Sequence, residues 1–484
     1  LRKDIQGLRA VAVLAVLLFH FWPDRLPGGY VGVDIFFVIS GFLITQHLLK
    51  NPPTTLKKLS NFWAKRIRRL IPAATLVLLA TIAASVVFLP ETMIQGTARE
   101  SIASAIYGQN WMLASTATDY LRSQDAPSPV QHYWSLSIEE QFYAVWPILI
   151  GSLFIFGKRF LSAKKRIALA LSSIFFVSLA WSVHLTETDP ASAYFVTTTR
   201  VWELGLGGLV ALISITKWWI PSGKARVLLS WIGLLGVSTA ILIFTSDTPF
   251  PGYTALLPTF GTGLILLAAI DSIKWSPRKL LSWKPNQFFG DISYSIYLWH
   301  WPAVVLAPYA LGKGLTWKHK LILIIAVLVL AALTKRFVED PIRDSKILKK
   351  SVKRTFIYGF ASILVVIGVS AGMAQMSATK SEEASVRLQQ ALARDDECIG
   401  AGALRHTNCT IEGSSLLMSP SFAKQDKSVV YKDGCWANRH FSDRKVCTYG
   451  NKDSTVRIAL IGNSHAGMWQ AAIEKVTTEK NWRL

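Results

Sequence analysis

Apolar residues run along this chain in long, nearly unbroken stretches separated by short polar segments. Runs near 5–22, 31–50, 70–89, 136–156, 167–185, 194–214, 227–245, 254–271, 288–309, 319–338 and 355–374 approach or exceed the roughly 18–20 apolar residues needed to cross a bilayer. They predict about eleven membrane-spanning helices. The stretch 94–114, "IQGTARESIASAIYGQNWMLA", breaks the pattern. It carries Arg99, Glu100, Gln109 and Asn110, and it predicts an amphipathic segment rather than a span.

Beyond residue 375 the pattern changes. A polar, helix-prone stretch, "KSEEASVRLQQALARDDE", leads into a segment that holds all four cysteines. "RIALIG" then reads as a buried strand and "GMWQAAIEKV" as a helix, joined by a Gly-Asn-Ser-His turn. The expected fold is an α-helical polytopic membrane protein followed by the start of an extracytoplasmic α/β domain. Its expected divisions are a membrane domain over 1–345, an eleventh span within 346–375, a linker over 376–455 and the opening of the α/β domain over 456–484. No internal repeat is visible.

The net charge of +22 raises nucleic acid as a partner. The location of the charges excludes it. Leaving 94–114 out of the count, the basic loops "KKLSNFWAKRIRR", "GKRFLSAKKR", "TKWWIPSGKAR", "KWSPRK" and "KRFVEDPIRDSKILKKSVKR" all fall on one side. "TETDPAS" and "TSDTPFPG" fall on the other. This is the positive-inside pattern. It predicts a cytoplasmic amino terminus and an exterior location after about residue 375. The chain begins at Leu1 rather than Met, so residues are expected to precede it, and the first span is read as retained rather than cleaved. Cys398, Cys409, Cys435 and Cys447 suit two disulfides in an oxidising compartment. Three pairings are open, of which Cys398–Cys409 with Cys435–Cys447 is the local one.

Candidate chemistry lies within the apolar runs. Arg9 and His20 share the first. Eleven residues of helix advance about three turns plus roughly 20°, so the two lie on one face about 16 Å apart. Each costs roughly 2.5–3.5 kcal/mol in hydrocarbon, so the face points into protein or a wet cavity. Asp34 lies about one turn into the second run, across the short loop "PDRLPGG", and is expected to reach and orient His20. "HYWSLSIEEQFY" sets Glu139 and Glu140 at the start of a span, "TTTRVWELGLGG" sets Arg200 and Glu203 on one helix face, and "SYSIYLWHWP" sets His300 mid-span. Together they predict a polar chamber, with the glycines of "ELGLGGL" permitting close helix approach. "AKRIRRLIP" clusters Lys65, Arg66, Arg68 and Arg69 on the cytoplasmic side, where they suit a multiply phosphorylated ligand.

The Arg and His of the first run, "GVDIFFVISGFLIT", "KRIRRLIP", "HYWSLSIEEQFY" and "SYSIYLWHWP" occur in order over about residues 1–345. Together they resemble the acyltransferase-three family of membrane O-acyltransferases. The resemblance implies an enzyme of a bacterial plasma membrane that transfers an acyl group, usually acetyl, from cytoplasmic acyl-CoA to a hydroxyl of an envelope glycan or glycolipid. Acetyl-CoA is then a substrate, and no permanent cofactor or metal is implied. The family's essential histidine falls on His20 and its arginine on Arg9. With Asp34 and Glu139, His20 forms the expected catalytic set. Arg9, Arg66, Arg68 and Arg69 are expected to hold the donor, and Arg200, Glu203 and His300 the acceptor. His20 would either deprotonate the attacking hydroxyl or accept the acyl group in transit.

The tail "IALIGNSHAGMW" resembles the first block of an SGNH-type hydrolase domain, with Asn463 where that family usually has Asp. That resemblance implies a nucleophilic Ser464. Only the beginning of such a domain is expected within 484 residues, without its Asp and His partners, so Ser464 is expected to be inert in this chain. A competing expectation is a proton-coupled transporter or flippase of an envelope precursor.

Overall fold

The computed structural model describes residues 2–117, 126–156, 161–216, 222–269, 274–393, 418–436 and 445–484. The chain divides into two units, Leu1–Ala374 and Gln375–Leu484.

The apolar runs fold as helices. In order these are α1 (Lys3–Phe21), α2 (Gly32–Lys50), α3 (Leu56–Phe88), α4 (Glu91–Ala105), α5 (Gln109–Ala117), α6 (Tyr133–Ile155), α7 (Ala163–Thr188) and α8 (Pro190–Phe195). They continue with α9 (Val201–Thr216), α10 (Gly223–Ile243), α11 (Leu256–Ala268), α12 (Arg278–Leu281), α13 (Lys284–Asp291), α14 (Ser293–Leu311) and α15 (Trp317–Thr334). The Val352–Ala393 helix runs past the end of the first unit.

Eight helices among the described residues are long and apolar enough to cross a membrane. Three of the eleven runs fall short of that standard. The run at 194–214 breaks between Phe195 and Val201, leaving α9 at 16 residues. The run at 254–271 yields α11, 13 residues long. In α14, serines, His300 and two prolines dilute a 19-residue helix. The stretch 94–114 folds as α4 and the start of α5, separated at Tyr107, which has a φ of 56°. At about 1.5 Å per residue neither helix covers the ~30 Å hydrocarbon core.

The helices that carry Arg9, His20 and Asp34 are the most buried of the eight candidate spans. The candidate spans Lys3–Phe21 and Gly29–Lys50 are 61% and 72% buried by protein, against 22% for the spans from Trp317 and Val352. Between apolar helices in lipid, close packing replaces the hydrophobic effect as the driving force, and small residues make it possible. A Cβ on Gly41 of α2 would lie 1.9 Å from the Leu204 carbonyl oxygen, and one on Gly207 of α9 would lie 2.1 Å from that of Val38. The glycines read from "ELGLGGL" therefore bring the backbones of α2 and α9 together.

In the second unit the expected strand at "RIALIG" does not form. Among the described residues there is no strand; Gly450 and Arg457 make only isolated bridges with Arg483. A strand needs a laterally paired neighbour and covered faces. Here Ile458 N–H reaches only Arg483 O, and Ile461 is 89% exposed. The expected helix does form, as Ser464–Glu479. Cys435 and Cys447 are disulfide-bonded with Cα atoms 5.8 Å apart. Cys398 and Cys409 lie outside the described residues.

Candidate functional site

Expected site residues fall into three groups of polar side chains in the interior of the first unit. The first lines a cleft of roughly 780 Å³, counting the space at its mouth. Arg9 of α1, Arg66 and Arg69 of α3 and Glu139 of α6 face it, between apolar walls from α2 and α3. Three residues of helix advance about 300°, which keeps Arg66 and Arg69 on one face. Arg68, about 100° from Arg69, falls off that face. Its Nη1 donates to Thr355 Oγ1 at 3.2 Å and faces Leu348 O at 3.5 Å, so the structure does not bring Arg68 to the cleft.

Arg9, Arg66 and Glu139 are each held by neighbours. Arg9 Nη1 donates to Gln6 Oε1 at 3.3 Å. The Arg66 guanidinium lies over the Tyr143 ring at 5.0 Å and the Phe62 ring at 5.6 Å. Glu139 accepts from Ser40 Oγ at 3.0 Å and from the Tyr143 hydroxyl at 3.3 Å. Three guanidiniums against one carboxylate leave the cleft cationic. Glu140 does not line it.

Ser135 and Tyr297 also line the cleft, and their hydroxyls are 2.6 Å apart. Tyr297 connects the cleft to the second group, a cluster of histidines. His20 Nδ1 lies 3.2 Å from His300 Nε2. His300 Nδ1 lies 2.5 Å from the Tyr297 carbonyl oxygen, one helical turn back. His132, at the amino end of α6, sets its ring edge-on to His300 at 5.6 Å, and its Nε2 is 3.1 Å from Leu298 O. Trp301 meets the His20 ring at 4.7 Å, and its own Nε1 donates to Ser128 O at 2.8 Å.

The third group overturns one expected contact. Asp34 does not reach His20. Its Oδ1 lies 3.1 Å from Arg200 Nη1, which also pairs with Glu203 Oε1 at 2.9 Å. All three side chains are fully buried. Rings of Phe37, Trp134, Tyr194 and Phe250 surround the guanidinium at 5.2–5.7 Å. The reason is phase and packing: the close approach of α2 and α9 presents Asp34 to Arg200, while the far face of α1 presents His20 to α14. The single expected chamber thus resolves into a cleft, a histidine cluster and a closed ion network. His300 belongs with His20, away from Arg200 and Glu203.

Sequence reasoning missed Ser40, Ser135, Tyr297 and His132. All four lie inside quoted motifs, but nothing in their local spacing singles them out. Among the described residues, no group of three or more His, Cys, Asp or Glu side chains could hold a metal ion. In the second unit, Ser464 opens its helix, and the Asn463 side chain caps that helix by accepting from His465 N–H at 3.0 Å.

The profile of the acyltransferase domain family matches residues 2–336. Peptidoglycan O-acetyltransferase OatA of Listeria monocytogenes is 35% identical over 355 residues, which cover 71% of this chain and 56% of that protein. O-acetyltransferase OatA of Staphylococcus aureus is 35% identical over 353 residues, or 70% of this chain and 57% of that protein. YrhL of Bacillus subtilis is 34% identical over 365 residues, or 73% and 56%. The chain thus spans little more than half the length of the relatives it matches. No solved structure matches it.

Proposed function

The chain belongs to the acyltransferase domain family, and we propose that it is an integral-membrane O-acetyltransferase that carries acetyl from cytoplasmic acetyl-CoA to a hydroxyl of an extracytoplasmic envelope glycan, with a peptidoglycan sugar as the first candidate. The observation that carries this reading is the pairing of functions along α1. Arg9 lines a cationic cleft, and eleven residues on, His20 meets His300. The L. monocytogenes relative, by its name a peptidoglycan O-acetyltransferase, supports the acceptor class.

In this reading the amino terminus is cytoplasmic and the cleft takes the phosphates of the donor. Guanidinium groups bind phosphate oxygens in pairs, and apolar walls suit the alkyl portions of the arm that follows. Glu139 is assigned to this cleft rather than to proton transfer, since its oxygens are engaged by Ser40 and Tyr143. His20 acts as the base. As the hydroxyl oxygen attacks the thioester carbonyl carbon, its proton passes to His20. The carbon–sulfur bond then breaks and the proton returns to the departing thiolate, leaving His20 as it began. Arg200, Asp34 and Glu203 form the frame that holds α2 to α9, and the acceptor enters on the histidine side.

Ser464 is proposed as a second station in the whole protein. It would take the acetyl as an ester and release it to the final sugar hydroxyl, splitting one long transfer into two. The test is incubation of the purified protein in lipid nanodiscs with labelled acetyl-CoA and a soluble glycan fragment. Acetyl ester on the glycan with matching thiol release, abolished in His20→Ala, supports the reading. Transport of glycan without acetyl transfer would replace it with the transporter alternative.

A further inference from the structure

A base is useful only if its lone pair points at the substrate, and in an imidazole the partner of the other nitrogen decides that. Among the described residues no carboxylate is hydrogen-bonded or ion-paired to His20, and Asp34 is committed to Arg200. The contacts instead fix the tautomers in sequence. A main-chain carbonyl oxygen can only accept, so His300 Nδ1, 2.5 Å from Tyr297 O, carries the hydrogen. A neutral His300 then presents a lone pair at Nε2. That lone pair faces His20 Nδ1 at 3.2 Å, so toward His300 it is His20 Nδ1 that donates and His20 Nε2 that stays unengaged, with the Val16 carbonyl one turn back on α1 as a further acceptor beside the same ring. By the same logic His132 carries its hydrogen on Nε2, against Leu298 O. It therefore does not compete for the His300 lone pair.

From this geometry we infer that His300 is a positioning residue: it fixes His20 in the one tautomer whose Nε2 is free to take a proton. The inference rests on the reading of His20 as the base. His300 is 1% exposed and sits on α14, whose Tyr297 reaches the cleft, so the orientation of the base is tied to the wall of the donor site. Trp301, anchored on Ser128 O, holds the same ring from another side. The two contacts act differently on the imidazole. Trp301 limits ring rotation, and His300 is the side chain that selects the protonated nitrogen, beside the main-chain carbonyl of Val16. When His20 takes the hydroxyl proton, its Nδ1–H still donates to His300. The cation is therefore stabilised without a second proton transfer, and His300 itself stays neutral throughout.

The experiment compares His300→Gln, whose side-chain oxygen can accept from His20 Nδ1–H, with His300→Leu, which fills space and accepts nothing. Steady-state acetyl transfer from acetyl-CoA is read as kcat and KM. In parallel, ¹⁵N spectra of histidine-labelled protein in bilayers, assigned by difference with His20→Asn, read the His20 tautomer directly. We expect His300→Leu to lower kcat by about 10²-fold or more with KM for acetyl-CoA within twofold, a loss on the scale of general-base catalysis. His300→Gln should recover at least tenfold of it. The wild-type spectrum should show His20 protonated at Nδ1, and His300→Leu a mixture of tautomers. Equal kcat in Leu and Gln variants, or a wild-type His20 protonated at Nε2, overturns the inference. Should His300→Leu not fold, the wild-type spectrum and the Gln variant still decide it. A protein that shows the expected tautomers yet transfers no acetyl group refutes the proposed function and leaves the positioning role standing.

Discussion

Asp34 Oδ1 lies 3.1 Å from Arg200 Nη1, and Glu203 Oε1 reaches the same nitrogen at 2.9 Å. One guanidinium therefore serves two carboxyl groups in a volume closed to solvent. Removing one partner of a buried ion pair costs about 3–5 kcal/mol, because the other is left unbalanced. The three members of this network should not be equal. Arg200→Met strands two carboxylates, whereas Asp34→Asn leaves the Arg200–Glu203 pair intact. Thermal unfolding in detergent should therefore show Arg200→Met as the more damaging change by at least half of that cost. The reverse order would mean that Glu203 alone does not hold the guanidinium.

The close approach of α2 and α9 makes a second expectation, this time without charge. A methyl group at Gly207 would meet the Val38 carbonyl oxygen at 2.1 Å, and backbone cannot move aside as a side chain can. Gly207→Ala and Gly41→Ala should each lower the folded fraction sharply, an overpacking cost of about 1–3 kcal/mol or more. Gly372→Ala, where nothing lies within 4 Å, is the control, expected to be neutral or to stabilise by about 0.5–1 kcal/mol. Size-exclusion profiles of the three variants check the contrast. Similar profiles would place the α2–α9 contact outside what the fold requires.

These two contacts also mark where the sequence stopped being readable. Arg9 and His20 were legible as one face because the spacing lies within one helix; the basic cluster of α3 was legible as a cluster, but the turning of Arg68 away from Arg66 and Arg69 was not. The partner of Asp34 was not. The short loop "PDRLPGG" makes Asp34 close to His20 along the chain, but helical phase turns it toward α9, more than 160 residues later. Nothing local records that choice; it is made by Gly41 and Gly207. The break at 196–200 was hidden by the apolar character of its flanks. "RIALIG" has the composition of a buried strand, and composition does not supply the neighbour a strand must pair with. His132 was overlooked because its significance comes only from the approach of α14 to α6.

Glu139 allows a prediction whose sign is set by charge. It is the carboxylate facing a cleft that also presents Arg9, Arg66 and Arg69. Removing it raises the positive charge felt by a polyanionic donor. At an effective dielectric near 20 and a separation of about 8 Å the gain is on the order of 2 kcal/mol before screening. Glu139→Gln, which keeps an acceptor for Ser40 or Tyr143, should bind CoA several-fold more tightly, with a steeper dependence on salt. Isothermal titration in nanodiscs reads both. Weaker binding would show that the carboxylate contacts the donor through hydrogen bonds rather than opposing it.

The arginines of α3 give the sharpest comparison, because adjacent residues of one type are predicted to behave differently. Arg66 and Arg69 face the cleft, and Arg68 is turned toward Thr355 and Leu348. A charge-assisted phosphate contact is worth about 1.5–3 kcal/mol, or roughly 10- to 150-fold in affinity. Arg69→Ala and Arg66→Ala should each weaken CoA competition by at least tenfold while the protein stays folded. For Arg66 part of the loss comes from the Tyr143 ring, which the guanidinium covers at 5.0 Å. Arg68→Ala should change CoA affinity by less than threefold. Its cost should appear instead as a lower unfolding temperature, since Thr355 Oγ1 and Leu348 O would lose their shared partner. Lys at each position separates charge from geometry: Arg69→Lys keeps a point charge but not the planar fork, and should recover only part of the affinity. Equal losses at Arg68 and Arg69 would mean that the basic cluster acts as a diffuse field. The cleft would then be no discrete site for phosphate, and the donor assignment that depends on it would fall.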